Sequence, residues 1–178
     1  MIRPLDPSEV DAFLPHAERH AGESGDGTTI RYSLRVASDP WDEGRLRHFL
    51  HDGLRAAVDS PGWCRVWIFD GPPEIRGNVA LRAHAQPESS HRALVSIGVL
   101  APYRRSGIGS ELLKTAITWA ANQGTLEWLD AESFGHNEPA LNLHHRLGFV
   151  ETARAPDMFR LDGTSVDDVR LSLRLRRP

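Results

Sequence analysis

The chain has 178 residues, 40% of them hydrophobic, with a formal net charge of −3 and a single cysteine. That length and apolar content suffice for one domain with a sizeable core, and the slightly acidic balance excludes the broad basic surface that draws a protein onto nucleic acid or anionic lipid. A lone Cys64 excludes an internal disulfide, and no apolar run approaches the roughly 20 residues of a membrane-spanning helix. The opening MIRPLDPSEVDAF meets charge too early for a signal peptide, so a cytoplasmic location is expected.

In chain order, MIRPL reads as a short strand. PSEVDAFLPHAERHAG then places Val10, Phe13, Leu14 and Ala17 at helical spacing, with Ser8 as the expected N-cap and an end near Gly22. Residues 23–41 are glycine-rich, polar and aperiodic, a long connection of the kind that often carries function. A second helix runs through Leu46, Phe49, Leu50, Leu54 and Ala57 to a stop at Ser60-Pro61-Gly62. CRVWIFD and RGNVALRAH, joined by a Gly-Pro-Pro turn, form a predicted hairpin, and HRALVSIGVL is a third β-rich run. Ile108, Leu112, Leu113, Ala116, Ile117 and Ala120 then make an apolar helical stripe ended by Gly124. LEWLDAESF gives another strand, HNEPALNLHHRLG a short helix capped by Asn137 and stopped by Gly148, and FVETARAPDMFRL with VDDVRLSLRL a closing strand pair. No internal repeat or low-complexity tract interrupts this order, so the expected fold class is mixed α/β in one domain, residues 1–178.

Between the third strand and its helix lies YRRSGIGSELL, which contains Arg104, Arg105, Ser106, Gly107, Ile108, Gly109 and Ser110. Where a glycine-bearing turn opens a helix, several backbone N–H groups lack partners, converge, and add to the positive end of the helix dipole. That geometry binds phosphate oxygens. Gly107 and Gly109 remove Cβ atoms that would hold a phosphate away, Arg104 and Arg105 can supply charge, and Ser110 a hydroxyl. No Gly-Lys-Ser/Thr follows, as a Walker loop requires, and Leu112 occupies the third small position of a dinucleotide fingerprint. Read alone, the turn is equally compatible with an ordinary helix start carrying solvated arginines.

IGVLAPYRRSGIGSELL resembles the acetyl-coenzyme A loop of the Gcn5-related N-acetyltransferases (GNAT), Arg/Gln-x-x-Gly-x-Gly/Ala, through Arg104, Gly107 and Gly109. NEPALNLHHRLGF is similar to that family's second signature, Asn-x-x-Ala-x-x-Leu-Tyr-x-x-x-Gly-Phe, through Asn137, Ala140, Leu143, Gly148 and Phe149. The element order fits along the whole chain, with residues 92–150 as the diagnostic core. The resemblance implies a GNAT fold: a mixed, mostly antiparallel sheet flanked by helices and splayed between the strands at 92–100 and 127–134. It implies acetyl-coenzyme A as cofactor, with its pantetheine arm against main-chain groups of Ile97 and Val99, its pyrophosphate in the turn from Arg104 to Ser110, and Asn137 on the other side. It also implies direct acetyl transfer to an amine in a ternary complex, with a general base, a backbone N–H polarising the thioester carbonyl, and an acid for the departing thiolate.

Two positions depart from the family's pattern. His144 stands where relatives keep Tyr as the acid, and Leu94 where they often carry a basic Glu. A histidine can donate a proton near neutrality, although Ala140, His144 and Leu147 share a helix face that would suit a packed core residue. Glu132, on the next strand, is the expected replacement base, its alternative being a plain surface carboxylate. His84 and His91, flanking AQPESS, are further candidates, although their position in a connecting loop suits plain exposed residues better.

The pairs His16/His20 and His48/His51 have spacings that could bind a metal, but neither has a third ligand and none is expected. Ser96 and Ser133 lack acid and histidine partners at readable spacing. Trp41, Trp63, Trp67, Trp119 and Trp128 are expected in the core and rim, the alternative for Trp41 being to line an acceptor pocket with Tyr32. Glu23, Asp26, Asp39, Asp42 and Glu43, around the long loop, favour a cationic small molecule. The expected function is therefore acetyl-coenzyme A-dependent N-acetylation of a small-molecule primary amine, with no nucleic-acid or membrane partner and homodimerisation left open. Alternatives are a non-catalytic acyl-coenzyme A-binding module, transfer of a longer acyl group, and acetylation of a protein N-terminus or lysine.

Overall fold

Period-two alternation sorts the apolar strand residues onto two faces of one sheet. The computed structural model describes residues 1–27, 29–32, 42–161 and 163–176. Its strands are β1 (Ile2–Pro4), β2 (Cys64–Phe69), β3 (Gly77–Ala83), β4 (Arg92–Val99), β5 (Trp128–Phe134), β6 (Val150–Leu161) and β7 (Thr164–Arg174). The helices are α1 (Val10–Gly22), α2 (Glu43–Arg55), α3 (Ile108–Ala121) and α4 (Glu138–Arg146). The first cap is Asp6 rather than Ser8: Asp6 accepts from the Ser8 N–H at 2.8 Å and Glu9 accepts from the Asp6 N–H at 3.1 Å, a capping box on a short 3-10 turn that leads into α1. Helix α2 ends before Ala57 because Ala56 is already extended, and α3 ends at Ala121 with Asn122 as its C-cap, short of Gly124.

The sheet order is β1-β2-β3-β4-β5-β7-β6. On one face Trp67, Val79, Leu81, Ala93, Val95, Leu129, Ala131, Val169 and Leu171 pack under α3 and α4, and Leu112 and Leu113 of α3 are fully buried. Burial on that scale contributes roughly 1.5–3 kcal/mol per large aliphatic side chain. On the opposite face Cys64, Val66 and Ile68 pack against Val10 and Phe13 of α1 and Leu50 and Leu54 of α2. Helices α1 and α2 thus cover the β1–β3 part of this second face, and among the described residues no helix lies over its β5–β7 part.

All pairings are antiparallel except β4 with β5. Those two strands pair only at Arg92–Trp128, Ala93–Leu129 and Leu94–Asp130. Beyond that point β4 stays with β3 as far as Val99, and β5 stays with β7 as far as Phe134. The sheet therefore opens into a V whose root is the Leu94–Asp130 pair, as the splayed expectation required.

Candidate functional site

Among the described residues, β4 from Val95 to Val99 has no strand partner on its β5 side. An unpaired strand edge is a template for an extended, amide-bearing ligand. The first face of the opening is apolar. A Cβ built at Gly109 would stand 3.4 Å from Leu143 Cδ2, 3.8 Å from Val99 Cγ2 and 3.9 Å from Ile97 Cδ1, so β4, α3 and α4 converge there.

At the wide end of the V the chain passes through a 3-10 turn at Ala101–Tyr103 into α3. Arg105 (φ 62°) and Gly107 (φ 90°) both adopt the left-handed region, which swings the chain into the helix. The Gly107 carbonyl accepts from the N–H groups of Ser110 and Glu111 at 3.0 and 3.2 Å. Among the described residues, none offers an acceptor to the N–H groups of Arg105, Ser106, Gly107, Ile108 and Gly109. A Cβ at Gly107 would project into open space, in a conformation that side-chain-bearing residues avoid. Five unpartnered donors, a positive helix end and a clear approach fit a pyrophosphate, and the open edge of β4 fits the arm behind it.

Charge in the turn is distributed unevenly. Arg104 Nε donates to the Val99 carbonyl at 2.9 Å, Nη2 donates to Glu23 at 2.8 Å, and the guanidinium carbon lies 5.4 Å from the centre of the Tyr32 ring. Arg104 is therefore tied down, whereas Arg105 is exposed. The Ser106 hydroxyl turns back to the Tyr103 carbonyl at 2.5 Å.

The sequence profile of the acetyltransferase (GNAT) family matches residues 29–149. The chain belongs to this family. A candidate phosphinothricin acetyltransferase, YwnH of Bacillus subtilis (strain 168), is 37% identical over 84 residues, 47% of this chain and 51% of that protein. N-alpha-acetyltransferase 30 of Xenopus laevis is 29% identical over 159 residues, 89% of this chain and 54% of that protein. The chain spans about half the length of these curated relatives. Among solved structures, an acetyltransferase of the GNAT family from Streptococcus pneumoniae matches with a TM-score of 0.82 at 20% identity, covering 98% of each chain. The structure of yncA from Salmonella typhimurium, solved with its cofactor acetyl-CoA, matches with a TM-score of 0.78 at 18% identity, covering 100% of this chain and 95% of that one. The GNAT fold inferred from the two signatures is the fold observed.

In this GNAT chain Asn137 caps α4, accepting from the Ala140 N–H at 3.3 Å. His144 is 4% exposed, its Nδ1 lies 2.8 Å from the Ala140 carbonyl, and its ring meets the Phe149 ring edge-on at 5.0 Å. The carbonyl can only accept, so Nδ1 carries the proton and Nε2 is left as a buried atom with no partner among the described residues. Burial pushes the imidazole below its ordinary pKa. Glu132 is exposed on the second face, opposite Arg170 of β7, and Arg170 turns to Asp168 at 3.3 Å.

Contacts invisible in the sequence tie α1 to the mouth of the V. The His20 ring lies against Gly98 of β4, where an added Cβ would come within 2.6 Å of it, and burial pushes His20 down to about 4. Glu23 accepts from the Ala101 N–H at 2.9 Å as well as from Arg104. The Tyr32 hydroxyl bonds to the His20 carbonyl, and burial pushes this phenol up to about 12. His136 Nε2 meets the Arg31 carbonyl at 2.7 Å, which brings the described part of the long loop to the β5 side of the opening. Residues 33–41, with Asp39 and Trp41, lie outside the described residues. Three of the acidic residues expected to attract a cation have other partners: Glu23 holds the cofactor turn, Asp42 caps α2 by accepting from Arg45 N–H at 2.8 Å, and Glu43 pairs with Arg47. His16 is also committed, with its nitrogens 3.0 Å from the Ile75 carbonyl and 3.0 Å from Asn78 Oδ1.

Proposed function

We propose that this chain is an acetyl-coenzyme A-dependent N-acetyltransferase acting on a primary amine of a small molecule, by direct transfer in a ternary complex. One conjunction carries the reading: the strand edge opened beside β4 leads directly into a turn whose N–H groups from Arg105 to Gly109 await acceptors. Main-chain groups of Ile97 and Val99 would hold the arm and the turn from Arg104 to Ser110 the pyrophosphate, while Asn137 fixes the start of α4 across the opening. Bound acetyl-coenzyme A supplies an acyl carbonyl activated as a thioester. The amine reaches it from the second face, because α3 and α4 fill the first. Glu132 stands exposed on that second face, where its charge draws a cationic amine. His144 Nε2 is assigned the proton of the departing thiolate, since a buried polar atom without a partner is what a site awaiting its ligand leaves. To donate, the ring must first be protonated, which its burial opposes.

The relatives support two acceptor classes. The similarity to YwnH favours a small amino compound, and the longer alignment with an N-alpha-acetyltransferase favours a peptide N-terminus as the second reading. An acceptor screen of small amines and peptides, read by thiol release and product mass, separates them. A +42 Da small-molecule product supports the first reading, and acetylated peptides alone move the assignment to the second. Tight acetyl-coenzyme A binding without thiol release for any amine leaves a non-catalytic binding module, and preference for succinyl-coenzyme A would change the acyl group.

A further inference from the structure

We infer that His84, oriented by Asp130, is the group that takes the proton from the acceptor amine. The inference rests on the acetyltransferase reading above and concerns the second face of the V. Asp130 pairs with Leu94 in the last rung before the strands part, so its side chain stands at the root of the opening, on the side from which the amine arrives. Leu94 itself offers no proton acceptor.

The Asp130 carboxylate receives Arg92 Nε at 2.7 Å, Ser172 Oγ at 2.6 Å, His84 Nε2 at 2.9 Å, and a second bond from Arg92 Nη2. Its side chain is only 15% exposed. Burial alone would raise this carboxyl, but the hydrogen bonds from Arg92 and Ser172 outweigh it and hold the group below the usual carboxylate range. Asp130 is therefore an anion that only accepts. His84 must place its proton on Nε2, which leaves Nδ1 with a bare lone pair and no partner among the described residues. A carboxylate that fixes the tautomer and steadies the imidazolium is the arrangement by which a histidine becomes a directed base.

Arg92 serves a second purpose. Its charge offsets that of Asp130, and its guanidinium lies 4.9 Å from the centre of the Trp128 ring, so the carboxylate is held in place rather than drawn to the amine. His84 also lines a cavity of about 110 Å³ with Asp59, Ser60, Trp63 and Gln86, room for a few waters through which a proton can leave.

An ammonium acceptor loses two protons in all. The first passes to His84 Nδ1 and on to solvent, freeing the lone pair that forms the N–C bond. The C–S bond breaks with its electron pair on sulfur, and the second proton from nitrogen replaces, by way of solvent, the one the thiolate takes up. Nothing is oxidised or reduced.

The first test needs no turnover. Nitrogen-15 NMR of the histidine side chains, with His84 assigned by its loss in His84→Gln, should show Nε2 protonated and Nδ1 bare, and Asp130→Asn should mix the tautomers. A proton on Nδ1 in the parent overturns the proposal. With an acceptor in hand, His84→Gln should lower kcat by roughly 10²–10⁴-fold, as loss of a general base does. Its KM for acetyl-coenzyme A and its calorimetric affinity should stay within about twofold, and added imidazole should restore part of the rate to His84→Ala. If His84→Gln turns over within about threefold of the parent while Glu132→Gln loses the rate, Glu132 is the base and His84 is not. A parent that does not bind acetyl-coenzyme A overturns the acetyltransferase reading itself, which none of the His84 results would do.

Discussion

The two flanks of the V work by different means. Along β4 and the α3 turn, recognition is left to the main chain: an open strand edge, five unpartnered N–H groups and a glycine in the left-handed region, with the nearby Arg104 already engaged. Along β5 the capacity lies in side chains, Asp130 and Glu132, set by the alternation of a strand that keeps its other partner, β7. A backbone site depends on conformation and can be destroyed by one Cβ. A side-chain site depends on proton positions and can be silenced without moving an atom of backbone.

The largest expected effect is therefore on the first flank. Gly107→Val should eliminate acetyl-coenzyme A binding in calorimetry while circular dichroism stays close to the parent, because the added atoms enter the open mouth of the turn and the left-handed backbone is strained by about 1–2 kcal/mol. Gly109→Ala should be far milder, since its Cβ would meet Leu143 at an ordinary 3.4 Å. Equal losses at both positions would mean that glycine spacing, rather than the conformation at 107, governs the turn.

On the second flank and its α4 neighbour, His144→Phe keeps the ring and removes the proton. Turnover should fall by roughly 10²–10⁴-fold with coenzyme A affinity nearly unchanged. The pH dependence follows from the direction of the shift: burial lowers the imidazole pKa, so the donating form is lost as pH rises even before the ordinary histidine value near 6.5. His144→Tyr should move that falling limb to higher pH. A Phe variant within about threefold of the parent would make His144 a packing residue, with solvent protonating the thiolate.

These flanks were not equally legible in the sequence. The turn was readable because the need for φ above zero selects Gly107, and helix periodicity locates the start of α3 beside it. The mostly antiparallel sheet and its splay came from the resemblance that those residues carried. What could not be read was the engagement of Arg104 by Glu23, 81 positions away, or the meeting of His84 with Asp130 across 46. Such pairings depend on strand register, which no local pattern encodes. His144 was legible as a residue type but not as a hydrogen-bonded one, since the Ala140 carbonyl that fixes its tautomer is a backbone group present at every position.

The two carboxylates of β5 sharpen the comparison in stability rather than rate. Asp130→Asn strands Arg92 and Ser172 and should lower the unfolding free energy by about 1.5–3 kcal/mol in urea titration. Glu132→Gln, exposed two residues on, should stay within about 0.5 kcal/mol. A comparable loss at Glu132 would place it in a structural network and weaken its claim on the amine.

A smaller effect tests how α1 closes the wide end of the V. His20, held near 4 when folded and near 6.5 when not, binds more protons in the unfolded chain between those values, and His16 and His144 are shifted in the same direction. Thermal stability should therefore be level with respect to these groups above pH 6.5 and decline as pH falls towards 4. His20→Gln should flatten part of that slope, and an unchanged slope would show that His20 leaves Gly98 before it is protonated.

The smallest effect separates the two arginines of the turn. Arg104 spends its guanidinium on the Val99 carbonyl and on Glu23, so Arg104→Ala should weaken acetyl-coenzyme A binding only by loosening the turn, about two- to tenfold if the equivalent of one bond of about 0.5–1.5 kcal/mol is lost. That loss should be insensitive to salt, because the charge is already balanced by a carboxylate only 12% exposed. Arg105 has no such partner among the described residues and is open to solvent, so Arg105→Ala should produce a loss that shrinks as ionic strength rises. Calorimetry of both variants at low and high salt decides the matter. If Arg104→Ala proves the salt-sensitive one, its guanidinium swings from Glu23 to the phosphates on binding, and the first flank would recognise its ligand by side-chain charge as well as by main chain.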